Sequence, residues 1–278
     1  MKFLSRFYIF IVFAILYAPI LVVILFSFNA SGNLSSFSGF TINWYKELFR
    51  DGEALGALKN SLILAVSSSA LATILGTLAS FSIAHSKNKY YQTIMKSVTN
   101  IPMMNPDIVT GVSMMLLFVG AALIFKLNNI LGFWTMLIAH TTFNLPYVIL
   151  SILPKFKQMD KHLIEAALDL GCTPTQTFFK IEVPAIMPGI ISGLMMSFTL
   201  SLDDFVISHF VSSPDFKTLP LYIYNQTAHE VKFSMYALCT LIIFTILVLL
   251  IAVNLAGSKK DGSSKKRSHR LPKGGLSK

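Results

Sequence analysis

The chain has 278 residues, 54% of them apolar and 13% charged, and the apolar residues fall into blocks of about 20, the length a helix needs to cross ~30 Å of hydrocarbon. This excludes a water-soluble globular domain, and the absence of the ~10-residue dyad alternation of a barrel strand excludes a transmembrane β-barrel. The net charge of +10 is scattered over loops and one polar tail with no folded basic domain, which excludes nucleic acid as a partner.

The first predicted span covers residues 7–28. It follows Lys2 and Arg6 as a signal peptide would, but its 22 residues exceed a usual apolar core and no small-x-small cleavage pattern follows. We read it as a retained anchor. Five more spans are predicted at 60–84, 101–125, 131–153, 186–210 and 236–256, giving an all-α membrane protein of six transmembrane helices within a domain over 1–257. The basic tail at 258–278, rich in Ser, Gly and Lys, is expected to be disordered and to touch anionic membrane lipid. Seventeen of the 23 Lys and Arg lie before the first span, between the second and third, between the fourth and fifth, and in the tail. Positive charge is retained in the cytoplasm, so both termini are expected there.

Trp44 and Tyr45 lie in the first outer loop, where an aromatic residue either stacks on a cation or anchors at the headgroups. Asn105-Pro106-Asp107 reads as a helix start, with Asn capping, Pro first and Asp in the first turn. Alternatively, Asp107 lies deeper on a solute path, at a break made by Pro102 and Pro106. The six histidines show no metal-ligand spacing, so no metal is expected. His140, with Asn144 at i+4 in the fourth span, reads as an interhelical hydrogen-bonding face. Cys172 and Cys239 lie in a loop and in the last span, too far apart for a disulfide framework.

The stretch DKHLIEAALDLGCTPTQTFFKIEVPAIMPGI at 160–190 reads as two short helices. Asp160 can cap the first, Leu163, Ile164, Ala167 and Leu168 give it an apolar stripe, and Gly171 can end it in a left-handed turn. Thr173 then starts the second, with Pro174 at the first helical position and Gln176 three residues after the cap. Pro184 and Pro188 close the unit. Such a hairpin is either a knob for a partner's groove or an interfacial amphipathic element.

In the fifth span Gly189, Gly193, Ser197 and Ser201 recur every fourth residue, a stripe that permits close helix packing. Asp203 and Asp204 follow it. A charged residue in a span costs roughly 2.5–3.5 kcal/mol on insertion scales and marks function by default. No basic residue is expected inside a span to pair with them. Neighbouring helical residues point ~100° apart, so one acid can line a path while the other meets a neighbour.

The 160–190 stretch resembles the EAA loop of bacterial ATP-binding-cassette importer permeases: Glu165-Ala166-Ala167, three residues, Gly171, nine residues, Ile181, one residue, then Val183-Pro184. In that family the loop forms coupling helices that dock into a cytoplasmic ATPase. The resemblance runs from about residue 8 to 256 and is closest to spermidine/putrescine permeases of the PotC type. It is carried by YAPILVVILFSFN at 17–29, INWYKELF at 42–49, MMNPDIV at 103–109 and SFTLSLDDFVISHFVSSPDFKTLPLYIY at 197–224.

The resemblance implies a type I importer permease (MetI-like) bundle in the bacterial inner membrane. Its partners would be a second permease subunit, two copies of an ABC ATPase that bind ATP and Mg, and an extracytoplasmic polyamine-binding protein. With the solute class it implies, we expect a polyamine path along Asp203 and Asp204, with Asp107 and Trp44 as further candidates for it, and the resemblance makes Glu165, Ala166, Ala167, Gly171, Ile181 and Pro184 the ATPase-coupling set. No G-x-x-x-x-G-K-[ST] phosphate loop occurs in the chain, so neither a catalytic residue nor a resident cofactor is expected. The rival readings are a permease for another small solute and a secondary cation transporter. An anion path would want intramembrane cations or helix N-termini, and a secondary transporter has no use for the loop.

Overall fold

Long apolar stretches become long helices because the backbone can satisfy its own polar groups only that way in lipid. The computed structural model describes residues 2–32, 36–126, 130–160, 162–227, 232–248 and 251, and no strand occurs among them, only two isolated bridges. The basic tail at 258–278 and the end of the sixth predicted span lie outside the described residues. Five helices are long and apolar enough to cross a membrane, and a shorter apolar one covers Phe233–Val248. Two compact units divide the chain: residues 1–52 with 229–278, and residues 53–228.

The first unit contains α1 (Lys2–Ser27), α2 (Asn43–Leu48) and the helix at Phe233–Val248, which is α12 here. No residue in the most apolar window of α1 is fully buried within the protein. Phe7, Tyr8, Phe10 and Phe13 are all exposed, the pattern of a helix whose apolar surface is left for lipid or another chain. After α1 the backbone turns back through a bridge between Asn29 and Phe40. Trp44 and Phe233 rings meet at 5.3 Å between centroids, which ties α2 to α12.

The second unit, which ends in α11 (Leu219–Thr227), is built round α6 (Phe133–Gln158). Six-tenths of its membrane-length window is buried, against about four-tenths for α3 (Gly52–His85) and about three-tenths for the helix ending at Asp203. Small residues let the flanking helices come close. A Cβ at Gly76 of α3 would lie 2.6 Å from Val148, and one at Gly193 of α9 (Val183–Asp203) would lie 3.3 Å from the same side chain. The predicted stripe Gly189, Gly193, Ser197 and Ser201 is buried throughout. It forms the seam with α6.

The third predicted span, 101–125, comprises the end of α4 (Lys89–Met104) and the whole of α5 (Asp107–Phe125). Pro106 separates them: its ring fixes its own φ at −59° and pushes Asn105 into an extended conformation. The fifth predicted span, 186–210, also differs in the structure. It is α9 followed, after a break, by α10 (Val206–Val211). Pro146 and Pro154 sit inside α6 without ending it, as membrane helices tolerate where neighbouring groups take up the freed carbonyls.

Candidate functional site

Asp204 makes the break between α9 and α10. Its backbone is extended at φ −64°, ψ 120°, which stops the helical ladder. Its carboxylate then receives the first donors of α10, the Ile207 N–H on Oδ1 at 3.3 Å and the Ser208 N–H on Oδ2 at 2.8 Å. An acid beside otherwise unpaired N–H groups is stabilising both as an acceptor and against the helix dipole.

The same carboxylate meets His140, the buried imidazole of α6, with Oδ2 3.5 Å from Nε2. This corrects the expectation that the acids find no basic partner within the spans. His140 is 1% exposed and the Asp204 side chain 7%. The imidazole also reaches both sides of the break. Nδ1 lies 2.8 Å from Ser201 Oγ of α9, and Nε2 lies 3.2 Å from Ser208 Oγ of α10. Ser201 Oγ is in turn 2.9 Å from Ser68 Oγ of α3. Four helices thus share one buried polar cluster, in which every member has a partner, as burial demands.

Asp203 is exposed on the protein's surface. The two neighbouring acids are therefore divided, one facing inward to close the break and one facing outward. Asp107 is the first residue of α5 and is also exposed. One turn later, a Cβ at Gly111 would lie 2.8 Å from Phe210, so by i, i+4 spacing the Asp107 face of α5 is the one that meets α10. Trp44 belongs to the first unit. Its Nε1–H donates to the Asn29 carbonyl at 2.7 Å.

The second site is the hairpin of α7 (His162–Asp169) and α8 (Pro174–Thr177). Asp160 Oδ1 accepts from the His162 N–H at 3.0 Å. At the other end Gly171 has φ +84°. Its N–H bonds the Leu168 carbonyl at 2.9 Å while the Cys172 N–H reaches the Ala167 carbonyl at 3.0 Å, the paired closure of a Schellman motif. Thr173 and Gln176 then cap each other's backbone N–H groups at 3.3 and 3.1 Å. Both turns use only residues of the hairpin.

Ala167 is the buried member of the EAA triplet; Glu165 and Ala166 are exposed, and with them Leu163, Leu168, Leu170 and Phe179. A π-helical turn over Phe178–Glu182, containing half-buried Ile181, joins α8 to α9. Exposed Pro184 follows. Pro184 brings no N–H for the Lys180 carbonyl, and the Val183 N–H bonds Phe178, five residues back. The helix therefore widens by one residue instead of stopping.

A family model described as the inner membrane component of binding-protein-dependent transport systems matches residues 72–257. The chain belongs to this family. It is accordingly a multi-pass permease subunit of an ATP-binding-cassette transporter, located in the inner membrane. Among relatives, the putrescine transport system permease protein PotI of Escherichia coli (strain K12) is 38% identical over 231 residues, 83% of this chain and 82% of PotI. The spermidine/putrescine transport system permease protein PotC of Haemophilus influenzae is 36% identical over 259 residues, 93% of this chain and 98% of PotC. In fold, the permease chain of a bacterial alginate ABC transporter, solved in complex with an alginate pentasaccharide-bound periplasmic protein, superposes with a TM-score of 0.71. It is 17% identical, and the match covers 92% of each chain. The type I importer fold expected from the sequence is the fold observed.

Ser68 and Ser208 are the cluster members that sequence reasoning misses. A serine in an apolar helix carries no signal of its own. His140 is legible as a hydrogen-bonding face, but its partner lies 64 residues further along the chain, beyond the reach of any local pattern.

Proposed function

We propose that this chain is a permease subunit of an ATP-driven polyamine importer, passing putrescine and spermidine into the cytoplasm. The supporting observation is 36–38% identity to the putrescine and spermidine/putrescine permeases over more than four-fifths of the chain. In this reading it works with a second permease subunit, two copies of an ABC ATPase that hold ATP and Mg, and an extracytoplasmic polyamine-binding protein. The chain's lack of a phosphate loop fits the assignment of hydrolysis to the ATPase. The hairpin and both termini face the cytoplasm, in keeping with the distribution of Lys and Arg.

The exposed face of α7, with Glu165 and Ala166 between Leu163 and Leu168, is the part offered to a groove of the ATPase. Gly171 sets the angle between α7 and α8, and Ile181 and Pro184 carry the hairpin into α9. Asp203 offers its exposed carboxylate to a passing polycation, with Asp107 and Trp44 assigned to the same path and Asp204 holding the backbone beside it. The contacts must be shallow for the solute to leave.

The test is uptake of radiolabelled putrescine and spermidine by cells lacking every other polyamine importer, with the chain present alongside its native partners. Deletion should abolish uptake and reintroduction restore it. Asp203→Asn should lower the maximal rate at parental membrane levels of the complex. Restored cells that take up neither polyamine above the deletion background would overturn the substrate. Uptake by liposomes holding this chain alone, indifferent to ATP, would overturn the assembly.

A further inference from the structure

The polyamine path uses Asp203 and leaves His140 without a role, although His140 is the most deeply buried imidazole described and sits against the break. Its two ring nitrogens bond on opposite sides of that break, Nδ1 to the last turn of α9 through Ser201 and Nε2 to the first turn of α10 through Ser208. Nε2 also faces the carboxylate of the break residue itself, Asp204. A neutral ring with its hydrogen on Nε2 completes one direction of donation: Ser68 O–H to Ser201, Ser201 O–H to Nδ1, and Nε2–H to the shared Ser208 and Asp204 oxygens. Both ring nitrogens then have partners, and α3 and α6 together hold α9 and α10 in a fixed relation.

Asp203 is the residue immediately before this clamp, and its direction is set by the backbone that the clamp fixes. We propose that His140 is a positioning residue for transport: it straddles the α9–α10 break and thereby aims the Asp203 carboxylate. His140 touches no solute and acts only through Asp204 and the two serines. The proposal rests on the reading that Asp203 lies on the polyamine path, and its test is arranged so that the two can fail separately.

The importer with all its subunits is assayed in cells, with its membrane level checked in parallel. His140→Ala should lower the maximal uptake rate about tenfold, the scale of a small misplacement of a working group, while the half-saturating concentration stays with the binding protein and does not change. His140→Gln, which returns a polar atom to the Nε2 position facing Ser208 and Asp204, should recover most of the rate. His140→Asn reaches only the Ser201 side and should transport about threefold less than the Gln variant. In an Asp203→Asn chain, His140→Ala should produce no further loss.

A separate readout does not depend on transport. With Cys172 and Cys239 replaced by Ser, the thiol introduced by Asp203→Cys is labelled in the assembled complex by a positively charged thiosulfonate, and His140→Ala should change the labelling rate about threefold or more. Equal uptake rates for the Gln and Asn variants, or a His140→Ala loss that simply adds to that of Asp203→Asn, would overturn the proposal. So would an unchanged labelling rate at the Asp203→Cys thiol. If His140→Ala does not accumulate, the Gln and Asn pair decides alone. If Asp203→Asn transports at the parental rate, the path assignment falls, whereas the clamp still stands or falls on the labelling of the Asp203→Cys thiol.

Discussion

Two of the helix interruptions in the second unit, at Gly171 and at Asp204, are closed in opposite ways. The turn at Gly171 is sealed by backbone bonds within its own hairpin, from Cys172 to Ala167 and from Gly171 to Leu168, and its surroundings are open: a Cβ there would meet nothing within 4 Å. The break at Asp204 is sealed by side chains from α3, α6 and α10, and its carboxylate is almost wholly buried. The first turn keeps its shape wherever the hairpin moves. The second keeps its shape only while four helices stay together, and it reports on their arrangement.

This difference predicts an order of effects. The largest is at Asp204, where Ala would strand two N–H donors of α10 and leave the His140 ring with its two serine partners alone. We expect about 3 kcal/mol lost from stability and a fall in the membrane level of the complex, whereas Asp204→Asn, which keeps an acceptor for the cap, should lose about 1 kcal/mol. Thermal unfolding of the purified chain in detergent measures both, and equal losses would deny residue 204 its part as the acceptor that caps α10.

Next is the seam between α9 and α6. A Cβ at Gly189 would lie 2.7 Å from Lys155 Cγ and 3.0 Å from the Ser151 carbonyl. The lysine stem can swing aside, but the carbonyl is part of α6. Gly189→Ala should therefore cost about 2 kcal/mol in the same unfolding experiment. A neutral result would mean that α9 slides on α6 at little cost.

Smaller still is Gly171→Ala, where only the φ of +84° opposes the side chain; about 1 kcal/mol is expected. Its functional consequence is local and separable: ATPase copurified with the complex should decline, more so for Gly171→Asp, with membrane insertion untouched. Full ATPase retention by the Asp variant would remove the hairpin from the docking surface. Thr173→Ala comes last, at roughly 0.5–1 kcal/mol, because it removes one capping acceptor from an exposed helix. The measurement is amide exchange in the hairpin, and unchanged protection at Gln176 would show that the cap is idle.

The contrast also explains what is legible in the sequence. Asp160, Gly171, Thr173, Pro174 and Gln176 form a local grammar in which each residue's partner stands within five positions, so the hairpin can be drawn from the sequence. The apolar blocks likewise announce spans, because hydrocarbon leaves the backbone no other choice. Nothing local distinguishes 186–210 as two helices. Two consecutive acids do not break a helix by propensity alone; what ends α9 is the distant His140 and the cap that Asp204 makes for α10. The π-helical turn is hidden for a related reason. By local pattern Pro184 reads as the end of the hairpin, whereas the chain absorbs it by widening the helix and continuing into α9.

That continuation has a mechanical meaning. From Pro174 to Asp203 the chain is helical without a gap, so α8 of the hairpin and the exposed acid stand at the two ends of one rod of 30 residues, roughly 45 Å long at ~1.5 Å per residue. Tilting such a rod by about 5° around one end carries the other through about 4 Å, further than any hydrogen bond can stretch and survive. Leverage of this kind needs no relay of intermediate residues. A pull on α8 that tilts α9 must either carry α6 with it or open the bonds at Asp204.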